Sequence, residues 1–267
     1  MRHAVDGQAH SEGAVTDDTP NRDEAEEPAT RAASKPRPQL ILLPGLLCDA
    51  DLWRDQIGNL SDLADCHVAD LTRGETLSEL AQTVLAEAAP SFALAGFSLG
   101  GYVAQEIARQ APDRIERLAL IDTSIRPDSP ERAAARRSLI ATAQLPGQFK
   151  GITDRMLPTY VHPSRLSDSD LIGRIRAMNE RLGRDVFIRQ NTLDRPDGEA
   201  ALRSLTCPVL IICGKQDALT PLSDHQEMAA MLPHAQLVII EESGHMTPME
   251  RPHAVTEALR QWLVARA

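Results

Sequence analysis

At 267 residues the chain is long enough to bury one large α/β core. Its 42% hydrophobic and 25% charged residues are those of an ordinary globular protein, and a net charge of -10 argues against nucleic acid as a partner. No apolar run approaches the roughly 18 residues of a membrane span, so no membrane partner is expected. The N-terminus lacks the charged-then-apolar pattern of a secretory signal. Cys48, Cys66, Cys207 and Cys213 are widely spaced with no metal-site pattern, so they are expected to be reduced thiols of a cytoplasmic protein, with no metal and no cofactor.

Residues 1–38 are rich in Asp, Glu, Ala, Pro and Thr, with only Val5 and Val15 as branched aliphatics. Such a stretch does not bury enough surface to offset its ordering entropy, so a disordered tail is expected. An added leader would have the same composition. Structure is expected from QLILLP (39–44), a first buried strand, followed by a helix over Asp51 to Leu60. CHVADL (66–71) is the second strand, and Thr76 is placed to cap a helix over Leu77 to Ala89. SFALAGF (91–97) is the third strand, then a helix over Tyr102 to Gln110, then the fourth strand RLALIDT (117–123). Helical patterns follow around 130–143, 168–183 and 185–192. PVLIICG (208–214) is the fifth strand, and Thr220-Pro221 opens a helix over Leu222 to Leu232. QLVIIEE (236–242) is the sixth, and Arg251-Pro252 opens a last helix over His253 to Ala265.

This alternation predicts an α/β protein: an open, mostly parallel sheet with helices on both faces. The core is expected over 39–123 and 201–267. The stretch 124–200 is too long for a bare loop. It follows a strand, so it falls over the end of the sheet where open α/β folds bind ligands, and a helical lid insertion is expected. It is rich in arginine, and most of these are expected to pair with Asp and Glu at helical spacing. The alternative reading is that one or two point into the pocket and bind a substrate carboxylate.

Residues 95–101 read AGFSLGG, three glycines around one serine between a strand and a helix. The spacing Gly96-x-Ser98-x-Gly100 fits a nucleophile elbow, a sharp turn that lifts the serine hydroxyl above the sheet edge. Glycines there let strand and helix approach closely, and the helix start aims backbone N–H groups at the site. A helix-capping serine in a glycine turn is the bland alternative for the five residues alone. Two later loops add to the elbow. The fifth strand runs into GKQDALTP, with Asp217, and the sixth into SGHMTPMERP, with His245.

Over 39–266 the chain resembles the α/β-hydrolase fold superfamily, in particular small lidded serine hydrolases such as carboxylesterases and enol-lactonases. The order Ser98, Asp217, His245 is that family's nucleophile, acid and base order. The resemblance implies Ser98 as nucleophile, His245 as general base and then acid, and Asp217 as the group that orients the imidazole. Asp122, at the end of the fourth strand, is a rival acid. The resemblance also implies an oxyanion hole from the backbone N–H groups of Leu99 and of Leu46, the latter in LLPGLLCDADLW. There the sequence departs from the family, because Pro44 stands where a histidine is usual. Cys48 and Trp53 lie nearby, and His162 in the insertion is a further candidate for ligand contact.

A serine in the elbow argues against the haloalkane dehalogenase branch, which uses aspartate. The expected reaction is cleavage of a small carboxylic ester, lactone or thioester through an acyl-enzyme on Ser98. Same-fold lyases, C–C hydrolases, acyltransferases and cofactor-free peroxidases share the triad, so fold and triad do not choose among them. A ligand receptor that has kept the triad is the alternative from another class. Steady turnover of model esters separates it from an enzyme.

Overall fold

Each of the six apolar runs becomes one strand in the computed structural model, which describes residues 37–147, 149–232 and 234–265. The strands are β1 (Gln39–Leu43), β2 (Asp65–Val68), β3 (Phe92–Phe97), β4 (Ile115–Ile121), β5 (Val209–Gly214) and β6 (Ala235–Ile240). They form a single parallel sheet in the order β2-β1-β3-β4-β5-β6. The tail expected over 1–38 lies outside the described residues except for Arg37 and Pro38. Those two belong with the sheet: the Arg37 Nε donates to Asp65 Oδ1 at 2.8 Å, and the Pro38 carbonyl accepts the Asp65 N–H at 3.0 Å. The second strand is shorter than its apolar run and half-exposed, because it lies at the sheet edge.

Alternation along the strands assigns two cores. Leu40, Leu42, Ala93, Ala95, Phe97, Ala119, Ile121, Leu210 and Ile212 face one side. There they meet Leu60 of α1 (Arg54–Leu60) and Val255, Leu259 and Trp262 of α9 (Pro252–Val264). Ile41, Leu43, Leu94, Leu118, Leu120 and Ile211 face the other. That side is covered by α2 (Leu77–Glu87), α3 (Leu99–Gln110) and α8 (Leu222–Met231). Strands buried on both faces need continuous apolar runs, which is why they read so clearly. Thr76 caps α2 as expected, its hydroxyl accepting the Glu79 N–H at 3.1 Å. Helix α3 starts three residues earlier than its apolar pattern, since Gly100 and Gly101 lie in its first turn.

Between β4 and β5 the chain forms α4 (Pro130–Gln144), α5 (Leu157–Tyr160), α6 (Ser169–Thr192) and α7 (Glu199–Arg203). The patterns at 168–183 and 185–192 are two helical runs of α6 that meet at Gly183, whose φ of 74° and ψ of -173° are not helical. The arginines here pair differently from the expectation. Arg174 meets Asp55 at 3.1 Å, Arg181 meets Asp49 at 2.8 Å and Arg189 meets Glu75 at 2.9 Å, all on the sheet-and-helix core. Among the described residues only Arg165, with Asp168, pairs at helical spacing within this segment. The core supplies these three counter-charges, so Arg174, Arg181 and Arg189 fasten the segment down, while Arg136 pairs with Asp128 and Arg176 with Asp154 inside the segment. No helix among the described residues is long and apolar enough to cross a membrane.

The strand order places the topological switch between β1 and β3, whose onward connections leave in opposite directions. A crevice opens at such a point beyond the strands' carboxyl ends. The loop after β1 and the turn after β3 meet there.

Candidate active site

Strand β3 runs directly into Ser98, which has φ 51° and ψ -112°. Few non-glycine residues adopt this backbone state, and it costs of order 1–3 kcal/mol unless the surroundings hold it. They do: the Ser98 N–H donates to Ile121 O at 3.0 Å, and Thr123 Oγ1 donates to Ser98 O at 2.8 Å. A Cβ on Gly96 would stand 2.5 Å from Gly100 O, and one on Gly100 would stand 2.3 Å from Leu43 O. Both are backbone atoms with no room to move, so the elbow closes only around hydrogen at these positions.

The structure brings Ser98, His245 and Asp217 together from three different strand ends. Ser98 Oγ lies 2.9 Å from His245 Nε2, and His245 Nδ1 lies 2.8 Å from Asp217 Oδ2. A carboxylate only accepts, so Nδ1 carries the proton and Nε2 is left to accept the serine hydroxyl. Asp217 is held in turn. Its Oδ1 accepts the N–H groups of Leu219 at 2.8 Å and Thr220 at 3.0 Å, and its Oδ2 accepts the Thr220 hydroxyl at 2.6 Å. Burial pushes the Asp217 carboxyl up, but His245 and the Thr220 hydrogen bonds outweigh it, so the group stays below its ordinary range and ionised.

Asp122, the rival acid, makes no hydrogen bond to His245. Its Oδ1 accepts the Gly214 N–H at 2.8 Å. Burial, and then the neighbouring Asp217 carboxylate, raise its carboxyl well above the usual range. Asp122, Cys213 and His225 bring possible metal-binding atoms within 4.8 Å of one another. Both His225 nitrogens are already engaged, Nε2 by the Thr123 N–H at 3.1 Å and Nδ1 by Pro221 O at 3.1 Å.

Leu46 and Leu99 both border the cavity that opens at Ser98. Leu99 is the first residue of α3, so its N–H has no acceptor inside the helix. The loop holding Leu46 is fastened from a distance. Leu47, with φ 52°, donates its N–H to Gln190 Oε1 at 2.9 Å, and Gln190 Nε2 donates to Leu71 O at 3.1 Å. Gln190 thus anchors the loop that Pro44 and Gly45 open.

The cavity measures about 240 Å³. Cys48, Phe97, Leu139, Ile152, Tyr160 and Met246 give it an apolar wall, and Arg132, Arg136 and Arg195 add charge. Burial pushes the Cys48 thiol up to about 12, which leaves it unreactive. Trp53 packs in the core against Phe97 and does not border the cavity. Nor does His162, whose ring Nδ1 pairs with Ser164 Oγ at 2.7 Å. Sequence reasoning missed Glu250, Gln190 and the particular arginines of the cavity. Only the buried Glu250 leaves a visible signal, an acid between Met249 and Arg251 at the end of the loop that carries His245.

Residues 40–258 match the model of the alpha/beta hydrolase family. A pimeloyl-[acyl-carrier protein] methyl ester esterase of Vibrio parahaemolyticus is 29% identical, with 78% of this chain and 87% of that protein covered. Its namesake in Chromobacterium violaceum is 30% identical over 64% of this chain and 70% of the relative. A thermophilic esterase from Thermogutta terrifontis, solved with malate bound, superposes with a TM-score of 0.74 at 29% identity, covering 85% of this chain and 90% of that one. The expected enzyme class, a hydrolase acting on carboxylic esters, stands with the expected fold. The chain belongs to the alpha/beta hydrolase family.

Proposed function

We propose that Ser98, His245 and Asp217 act as nucleophile, base and orienting acid in the hydrolysis of a small carboxylic ester. The observation that carries this is the unbroken hydrogen-bonded run from Ser98 Oγ through the imidazole to Asp217. Ser98 Oγ attacks the carbonyl carbon while His245 Nε2 takes its proton. Negative charge gathers on the carbonyl oxygen, where the N–H groups of Leu46 and Leu99 are the candidate donors. As the C–O bond to the alcohol breaks, Nε2 returns the proton to the leaving alkoxide. Water then repeats the attack on the acyl-enzyme, giving the carboxylic acid and free Ser98. Asp217 keeps Nδ1 protonated throughout and stabilises the imidazolium.

The cavity volume fits a short acyl group better than a long one, and the segment over 124–200 acts as its lid, since Leu139, Ile152 and Tyr160 close one side. The relatives' names point to methyl esters as substrates to include. The test is hydrolysis of p-nitrophenyl acetate and butyrate, with phosphonylation by a fluorophosphonate probe mapped by peptide mass. Turnover with the label on Ser98, both lost in Ser98→Ala, is the expected result. A Ser98→Ala protein that turns over as fast as the parent overturns the assignment.

A further inference from the structure

Three guanidinium groups border the cavity at Ser98, and their partners are unequal. Arg136 is paired with Asp128 and also donates to Asn191 O and Leu193 O, both at 2.7 Å. Arg132 donates to Leu219 O and stands 3.9 Å from Asp224, a loose pair. Arg195 has no carboxylate within ion-pair distance among the described residues. Its hydrogen bonds go only to main-chain oxygens: Leu193 at 2.7 Å, Asp194 at 3.4 Å and Gln190 at 3.1 Å. Its guanidinium carbon stacks 5.2 Å from the Tyr102 ring centre. Among the described residues Asp128 is the only carboxylate bordering the cavity, against three arginines, in a protein of net charge -10.

We propose that Arg195, together with Arg132, forms an anion site that receives a free carboxylate carried by the ester substrate, on its acyl or its alcohol side. The inference rests on Ser98 being the nucleophile, because it is the shared cavity that makes the two groups act on one molecule. A half-buried cation without a counter-ion is costly, and a carboxylate brought in by the ligand offsets that cost. Arginine suits the task, since its fixed fork meets both carboxylate oxygens. Burial, and then the neighbouring Arg136, push the Arg195 guanidinium down to about 10, which still leaves it charged at neutral pH. The apolar wall contributed by Leu139, Ile152 and Met246 takes the carbon chain between the two ends.

The test compares matched pairs in the full chain, followed by pH-stat. Monomethyl glutarate is set against dimethyl glutarate for the acyl side. 4-Acetoxybenzoate is set against its methyl ester for the alcohol side. The expected result is an acid-to-neutral ratio of kcat/KM of tenfold or more in one arm. That ratio falls about tenfold in Arg195→Gln and narrows in 0.5 M NaCl through screening. Arg195→Lys, which keeps the charge but not the fork, is expected to fall between. If Arg195→Gln does not fold, the ratio in Arg132→Gln decides. Calorimetry with glutarate and butyrate reads the same site without turnover, glutarate binding at least tenfold tighter. Neutral esters turned over at least as fast as their acids in both arms, or a ratio indifferent to both arginines, overturns the anion site while leaving the esterase intact. Absent turnover of all four esters, with glutarate still bound tightly, removes the esterase reading instead.

Discussion

Glu250 joins the inserted segment to the loop of His245. Its Oε2 accepts the His162 N–H at 2.7 Å, while Oε1 accepts the N–H groups of Gly244 at 2.9 Å and Met246 at 3.1 Å. The backbone N–H groups of His245 and Met246 also reach Tyr160 O, at 2.9 and 3.1 Å. The imidazole is therefore positioned by an element that comes from between β4 and β5. A glutamine at 250 has only one acceptor oxygen and turns an amide donor towards a donor. Leaving a buried N–H unpaired costs about 1–3 kcal/mol. Glu250→Gln is expected to lower Tm by several degrees in a chain this size. It should also reduce kcat more than it raises KM. A variant with wild-type kcat would show that the His245 loop holds its shape without this carboxylate.

Asp217→Asn is expected to lower kcat/KM by on the order of 10³-fold or more, because an amide cannot hold the imidazole in the same tautomer as a carboxylate does. Asp122→Asn should leave most activity, since Asp122 bonds Gly214 rather than His245. Initial rates on one p-nitrophenyl ester rank the two variants. The reverse order would move the acid to the fourth strand.

Much of this was legible in the sequence for a physical reason. Strands covered on both faces must be apolar throughout, so β1, β3, β4 and β5 stand out from their surroundings. Ser98, Asp217 and His245 each sit just beyond a strand end, so the motif's place in the chain also fixed its place in space. The rest depended on long-range partners that leave no local pattern. Gln190 meets Leu47 across 143 residues, and Arg174 meets Asp55 across 119. The apolar pattern alone begins α3 only at Tyr102, because Gly100 and Gly101 have poor helix propensity, and their contacts with Leu43 and Thr123 explain them.

Asp122 gives the fold a pH signature. An unfolded chain ionises this carboxyl near 3.9. In the native state burial and the Asp217 carboxylate raise it well above that value. As the pH rises past about 4, the unfolded state loses a proton that the native state keeps, so this residue makes stability fall with pH until its native form also ionises. Asn at 122 has no such proton. The stability of Asp122→Asn relative to the parent should therefore increase as pH goes from about 4 to 7, measured by urea unfolding at several pH values. Parallel curves over that window would mean that Asp122 is ionised in the native protein.

The loop after β1 gives the last prediction, since it bears on the transition state rather than on substrate binding. Leu47 sits at φ 52°, an unfavourable state for a branched residue, and its buried N–H is satisfied only by Gln190 Oε1. Gln190 is 1% exposed, and its amide nitrogen is fixed on Leu71 O, so its orientation is determined from both ends. Nothing else among the described residues takes the Leu47 N–H. Gln190→Leu removes both bonds and leaves that N–H without an acceptor, at a cost of about 1–3 kcal/mol. If the loop relaxes, the Leu46 N–H, which we propose as one of the two oxyanion donors, is displaced with it. Losing one such donor commonly costs 10²–10³ in kcat. The expected result is therefore a kcat reduced tenfold to several hundredfold with KM changed by less than about threefold, because the charge exists only in the transition state. Affinity for a boronic acid that mimics the tetrahedral intermediate should fall in parallel, while affinity for the carboxylate product stays near its original value. Equal loss of both affinities would place the effect in general damage to the cavity. An unchanged kcat would show that Leu46 is held in place without Gln190.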